Sequence, residues 1–291
     1  MAGLGIKPFK DLTLCDDFIF SEVMRQPENV TPFLEELLQK RIARVAAIDK
    51  QKDMKDGYWS HGIRLDVYLE DEYNTKYDVE VQTTLRSQLE KRVRYYQSGI
   101  DRHTLEAGED YEELCDSYVI FICINDYYKA GLAVYERESR IKDAPEIAYE
   151  DGSHVFILNT NFSRGNASAG ILEFLRYIRA GYEGRSFDVS GSDYLVKIDG
   201  AINKIKMTEE QGRLYMTYAT RMLDERKEGL KEGRKKGREE GRNEEKLATI
   251  REMLDIGMPV ETISRVVRLS ADKVRELIEA LDKNEGRAQK K

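Results

Sequence analysis

The sequence has no apolar run long enough to cross a bilayer. Its longest, Tyr118–Ile124, holds seven residues against the ~20 of a membrane helix, and it reads as one buried strand. The first residues, MAGLGIKPFKDLTL, lack the continuous apolar stretch of a secretory signal. Cysteine is scarce: Cys15, Cys115 and Cys123 are odd in number and show no zinc-ligand spacing. Cys123 falls inside the predicted buried strand, where it serves as a small apolar residue. Histidine is scarcer in pattern than in number, since His61, His103 and His154 lie far apart and form no HxxxH-like pair. These absences point to the cytoplasm and to no membrane partner. An excess of positive charge is missing too. The formal charge of −7 argues against a generic polyanion binder, while acidic metal ligands beside a local basic groove would give the same sum.

What the 291 residues do hold is room for one sizeable α/β domain with an appendage. Residues 1–205 mix strand-like and helix-like patterns. Residues 206–246 form a long, highly charged helix, 247–283 a small helical module, and 284–291 a polar tail expected to be disordered. Within the first region, Asp16–Leu38 reads as helix, interrupted near Pro27 and restarted at Thr31-Pro32. A strand is expected within Arg41–Asp53. Strict alternation predicts strands over Ile63–Asp71 and Lys76–Thr83, and a helix follows from Leu85 to about Ala107, with Leu89, Val93, Tyr96 and Ile100 on one face. Further strands are expected at Tyr118–Ile124, Gly131–Glu138 and His154–Leu158, and a helix at Ala169–Arg179. The order suggests an α/β fold, a mixed sheet flanked by helices.

The first two regular strands carry the candidate chemistry. Leu65, Val67 and Leu69 alternate with Asp66, Tyr68 and Glu70; Tyr77, Val79 and Val81 alternate with Asp78, Glu80 and Gln82. Each strand thus has an apolar core face and an outward polar face. A simple hairpin centred on Tyr73 would set Asp66 directly opposite Glu80, with Cβ atoms about 5 Å apart. Two ionised carboxylates so placed repel, unless one is protonated or a cation sits between them. Mg²⁺ suits the second case, since it takes a few carboxylates plus water and phosphate oxygens. Alternation alone fits an ordinary solvent-facing acidic hairpin as well. The helix that follows carries Arg86, Arg92, Tyr95 and Tyr96, with Gln88, Arg92 and Tyr96 on one face at i, i+4 spacing. Its cations can hold phosphate by charge-assisted hydrogen bonds.

Taken together, RLDVYLED, YDVEVQ, KRVRYYQSGID and AGEDYEELCDSYVIFIC resemble the PD-(D/E)XK nuclease family transposases, the recombination-promoting nucleases. The similarity covers most of residues 11–180. It implies a restriction-endonuclease-like α/β core and Mg²⁺-dependent (or Mn²⁺-dependent) hydrolysis of DNA, tied to recombination or transposition. Position by position, Asp66 matches the strand aspartate and Glu80 the acid of the ExK-type motif, with the Val81 carbonyl as a third metal ligand. Gln82 stands where many related nucleases have lysine; it can orient a water but supplies no positive charge. Asp17 matches an acid of the first helix and is either an outer ligand or a first-turn acid of that helix. A rival reading, favoured by Gln82, is a weak or inactive nuclease-fold protein that works in DNA binding or protein assembly.

Beyond this region, KEGLKEGRKKGREEGR places Gly229, Gly233, Gly237 and Gly241 at a strict interval of four. With no large apolar residues beside it the stripe reads first as a solvated tether; the alternative is a second helix approaching closely, making a homo-oligomer through residues 225–246. IGMPVETISRVVRLSADKVREL resembles a helix-turn-helix. Only Lys273 and Arg275 on its last helix suit DNA, while Asp272, Glu276 and Glu279 oppose phosphate. A small packing or oligomerisation module follows from that balance.

Overall fold

A computed structural model of the chain describes residues 6–46, 53–54, 63–84, 88–105 and 108–288. They divide into two compact units, Met1–Tyr218 and Ala219–Lys291.

The first unit opens with two helices, α1 (Asp17–Met24) and α2 (Pro27–Leu38). The break between them falls where Pro27 takes the first helical position, so the second helix begins there and not at Thr31-Pro32. Pro at that position loses no intrahelical bond, because the first amides of a helix have no partner anyway. Pro32 sits inside α2. The expected strand within Arg41–Asp53 appears as β1 (Val45–Ala46), with residues 47–52 outside the described set, and as the start of β2 (Asp53–Met54). β2 pairs with β3 (Ile63–Arg64) in a separate two-stranded sheet. There follow β4 (Val67–Asp71), β5 (Lys76–Gln82), α3 (Leu89–Thr104), β6 (Ser117–Cys123), β7 (Val134–Glu136), β8 (Arg140–Ile141), β9 (Ala144–Ala148) and β10 (Ser153–Asn159). The main sheet has the order β1-β4-β5-β6-β10-β7. β4 and β5 are antiparallel, whereas β5, β6 and β10 run parallel to one another.

Asp71 sets the register of the β4–β5 hairpin. Its Oδ1 accepts from the amides of Tyr73 (2.9 Å) and Thr75 (3.0 Å), and its Oδ2 from the Tyr77 hydroxyl (2.7 Å). Asn74 takes the left-handed conformation, φ 65°, which asparagine tolerates in such turns. The resulting pairs, Val67↔Val79 to Glu70↔Lys76, centre on Tyr73 as the alternation requires; the expected strand Ile63–Asp71 is split into β3 and β4, so the pairing stops one residue short of Asp66.

The polar face of this hairpin differs from expectation. It does not face water: every residue of β5 from Lys76 to Val81 is buried. The reason is the parallel partner. A parallel pair needs a crossover, and here the crossover helix α3 packs on the face that carries Asp78 and Glu80. Leu89, Val93, Tyr96 and Ile100 of α3 meet Tyr68, Val119, Phe121, Cys123, Val155 and Ile157 of the sheet. Their spacing in α3 matches the predicted apolar stripe; the helix follows Gln88, at φ 67°, and residues 85–87 lie outside the described set.

Two helices close the first unit. α4 (Ala169–Tyr182) is capped by Ser168, and α5 (Asp193–Lys206) by Ser192. α5 and the β8–β9 hairpin are additions to the elements expected from the sequence. α6 (Glu209–Asp255) starts in this unit, where Tyr215 stacks on Phe9 at 5.5 Å and meets Phe18 edge-on at 5.3 Å.

In the second unit α6 runs without a break through Lys246, because Leu247–Asp255 continues its helical phase with no glycine or proline between. Gly257, at φ 75°, ends it: the Met258 amide donates to Met253 and the Gly257 amide to Leu254, both at 2.9 Å, a glycine stop of the Schellman type. α7 (Val260–Val267) and α8 (Ala271–Ala288) fold back so that Ile250, Ile263, Val267 and Val274 form a small core. α8 is helical as far as Ala288. The two cations suited to DNA are engaged within this unit. Lys273 pairs with Glu276 (2.7 Å), and Arg275 with Asp272 (2.9 Å) and Glu261 (3.2 Å). At Gly229, Gly233, Gly237 and Gly241 an added Cβ meets nothing within 4 Å. Gly233→Ala and Gly237→Ala are therefore each expected to stabilise α6 by about 1 kcal/mol, read as higher helical circular dichroism. A loss of helicity would show that the stripe is packed in solution. No helix among the described residues is long and apolar enough to cross a membrane.

Candidate active site

The hairpin and α3 bring Asp66, Glu80, Gln82, Arg92 and Tyr96 together. The Asp66 amide donates to Glu80 Oε1 at 3.1 Å, and Arg92 Nη2 donates to Glu80 Oε2 at 3.0 Å. Arg92 Nη1 donates to Gln82 Oε1. The Tyr96 hydroxyl accepts from Arg92 Nη2 (2.8 Å) and Nε (3.2 Å). The guanidinium also lies over the rings of Tyr96 and Phe121, 5.0 Å from each centroid. One α3 turn separates Arg92 from Tyr96, which is why the phenol meets the guanidinium. Gln82 further donates through Nε2 to the Val81 carbonyl at 3.2 Å.

Other expected members stand apart. Tyr95 is 38 % exposed on another side of α3, and Arg86 lies outside the described residues. Asp17 is half-buried in the first turn of α1; the charges that weigh most on Glu80 are those of Asp66, Asp78 and Arg92.

Asp78 is the residue that sequence reasoning passed over. It is 0 % exposed, and neither carboxylate oxygen has a hydrogen-bond partner among the described residues. The signal was the alternation Asp78–Glu80–Gln82, which sets three polar side chains on one face; what it could not show was that α3 covers that face. Burial pushes Asp78 well above the usual carboxylate range, the charge of Asp66 adds to this, and Arg92 opposes it. Glu80, 1 % exposed, is raised first by burial and then by Asp66 and Asp78, against Arg92 and the Asp66 amide. Arg92 itself is held above its ordinary value: burial opposes its charge, but Tyr96, Glu80 and Asp66 outweigh the burial.

One arginine thus faces three acids, of which Asp78 and Glu80 are shielded from water. That donor chemistry fits a hard divalent cation, which prefers a few carboxylates, a carbonyl and water. Among the described residues no three of His, Cys, Asp and Glu converge into a ready-made metal cluster. A cation here would rest on Asp66, Glu80 and the Val81 carbonyl.

A pH dependence follows from the raised carboxyls. A carboxyl whose folded pKa lies above its unfolded value, about 4, stabilises the fold fully below that value. The stability is lost as pH rises through the folded value, because the native state then gives up protons the unfolded state has already lost. In EDTA the thermal midpoint is expected to fall as pH rises from about 5 toward 8, and Mg²⁺ is expected to restore it at the upper end. A midpoint that rises over this window in EDTA would mean that Glu80 and Asp78 do not govern the titration.

A family model described as PD-(D/E)XK nuclease family transposase matches residues 14–228, a span that includes every residue of this site. No curated protein and no solved structure matches the chain. The family match covers most of the chain, and its α/β core, with a hairpin, a crossover helix and a parallel strand around paired carboxylates, fits that match: the chain belongs to the PD-(D/E)XK nuclease family transposases.

Proposed function

We propose that the chain is a metal-dependent DNA endonuclease that hydrolyses phosphodiester bonds in recombination or transposition. The observation that carries this reading is Glu80, buried beside Asp66 and Asp78 with a single arginine to offset them. Asp66, Glu80 and the Val81 carbonyl would hold the ion, Mg²⁺ or Mn²⁺. When bound, such an ion polarises the scissile phosphate and acidifies a water. Gln82 fixes the orientation of that water by hydrogen bonding and holds Arg92 in place. Arg92 supplies the positive charge that glutamine lacks at position 82, with Tyr96 keeping its guanidinium turned toward the acids. Arg86, Tyr95 and the outer edge of Arg92 meet the DNA backbone. Residues 1–205 form the nuclease part, 206–246 a spacer, and 247–283 a packing or oligomerisation module.

The rival reading, a weak or inactive nuclease fold used in DNA binding or assembly, is favoured by one contact. Arg92 sits on Glu80 and competes with a cation for it. Incubating supercoiled plasmid with the full chain separates the two readings. Nicking or linearisation in Mg²⁺ that EDTA and Glu80→Ala both abolish supports the enzyme; intact plasmid with a folded wild-type chain supports the rival.

A further inference from the structure

The cations of this acidic chain are not spread evenly. Arg226–Arg242 holds eight Lys or Arg against four Glu, in a chain whose formal charge is −7. Every residue of this stretch of α6 is exposed. The turn of the helix separates the two signs. Lys227, Lys231 and Lys235 form one row at i, i+4 spacing, and Arg234, Arg238 and Arg242 form a second row beside it. All six border one open groove along the helix, which Leu230 and Glu239 complete. Glu228, Glu232 and Glu240 lie outside that groove.

Lys227 meets Asp224 at 3.5 Å, while the other five cations make no ion pair among the described residues. A helix that used its charges only for solubility would alternate signs at i, i+4, where opposite charges stabilise it and like charges destabilise it. Here four such neighbours are alike: Lys227–Lys231, Lys231–Lys235, Arg234–Arg238 and Arg238–Arg242. A polyanion laid along the stripe relieves that repulsion.

The sequence narrows the polyanion. From Lys227 to Arg242 the stripe is about 22 Å long, at 1.5 Å per residue, and duplex DNA carries about six phosphates on each strand over that length. Three of the six cations are guanidinium groups, which take phosphate oxygens in pairs. Single strands are held by aromatic rings on which bases stack, and no Phe, Tyr or Trp follows Tyr218. A helix lying in a membrane surface sets Trp, Phe and Leu opposite its cations, and Leu230 is the one large apolar residue of Arg226–Arg242.

We propose that the basic stripe of α6 is a docking surface for the phosphate backbone of duplex DNA, bound without regard to sequence. The stripe lies almost wholly beyond residues 14–228, the span that matches the nuclease family. It gives the spacer a second role, that of holding the substrate. The naming of DNA rests on the nuclease reading of Asp66 and Glu80; the stripe itself does not.

Fluorescence anisotropy in EDTA, with the full chain, measures binding to a labelled DNA duplex and to its single strand; sedimentation measures binding to phosphatidylserine vesicles. Two variants are compared with the wild type. One carries Lys231→Gln, Arg234→Gln, Lys235→Gln and Arg238→Gln, and glutamine suits a helix about as well as lysine or arginine. The other carries Lys231→Glu with Glu232→Lys and Arg238→Glu with Glu239→Arg, which keeps the net charge and breaks both rows. The wild type is expected to favour the duplex, and its log affinity to fall with log salt more steeply than the glutamine variant's by about 3.6, or about 0.9 for each of four phosphates. Between about 50 and 200 mM salt that amounts to roughly 100-fold. The swapped variant is expected to lose about tenfold or more at low salt, having two fewer contacts and two new repulsions. An unchanged salt slope in the glutamine variant overturns the stripe. Wild-type affinity in the swapped variant does so too, since net charge alone would then carry the binding. A preference for the single strand, or binding to vesicles with none to the duplex, overturns duplex DNA as the partner. Plasmid cleavage in Mg²⁺ by a chain that fails these tests leaves the nuclease reading standing, whereas stripe-dependent binding without cleavage overturns that reading alone.

Discussion

Asp66→Ala is expected to lower Mg²⁺-dependent DNA cleavage by about 1,000-fold. The magnitude is that of the several kcal/mol a bound cation lends to a phosphoryl transition state, at about 1.4 kcal/mol per factor of ten. The hydrogen bond from residue 66 to Glu80 leaves from the main-chain amide, which alanine keeps, so that contact survives the substitution. The Asp66 charge raises both Glu80 and Asp78, so its loss should let both carboxyls ionise at lower pH. Single-turnover cleavage at saturating enzyme reads the effect. A rate within tenfold of the wild type would remove Asp66 from the reaction.

Arg92→Ala is expected to cost about 3 kcal/mol of unfolding free energy in EDTA, within the range for breaking a buried ion pair. Glu80 would keep its buried position and lose the only cation among the charges that chiefly act on it. Gln82 and the Tyr96 hydroxyl would each lose a donor as well. Buried acceptors left without partners account for much of such a cost. The same substitution removes the competitor for Glu80, so Mg²⁺ should restore more stability to this variant than it adds to the wild type. Urea titrations with and without Mg²⁺ measure both effects. A loss below about 1 kcal/mol in EDTA would place Arg92 among surface-like pairs and end the view that it stands in for a cation.

The hairpin was legible because alternation sets the faces of Val67–Glu70 and Tyr77–Gln82, while Leu65 leaves the alternation and packs with Tyr68. The Asp71 and Asn74 turn that fixes pairing about Tyr73 came from the structure. The apolar stripe of α3 was legible from Val93, Tyr96 and Ile100 for the same reason, a period that one helix imposes on itself. What was not legible is non-local. That β5 pairs in parallel with β6, and that the crossover helix returns over the acids, depends on residues some forty positions away. A half-polar strand therefore read as solvent-facing when it lines a buried site, and Asp78 went unremarked. Arg92 was placed near the acids by its helical spacing, yet its attachment to Glu80 and Gln82 needed the helix to be laid on the sheet. α5 has local signals of its own, Ser192 as cap and Leu195, Ile198, Ile202 and Ile205 on one face, but it straddles the compositional boundary at residue 205.

The central claim is that Glu80 and Asp66 are paired in order to hold a divalent cation. Calorimetric titration of Mn²⁺ into the full chain, repeated with Glu80→Gln, tests it without reference to any substrate. The account predicts one ion per wild-type chain, bound more tightly as pH rises because binding expels protons from the raised carboxyls, and no such binding by a folded Glu80→Gln chain. Equal binding by the two proteins, or none by the wild type, would contradict it.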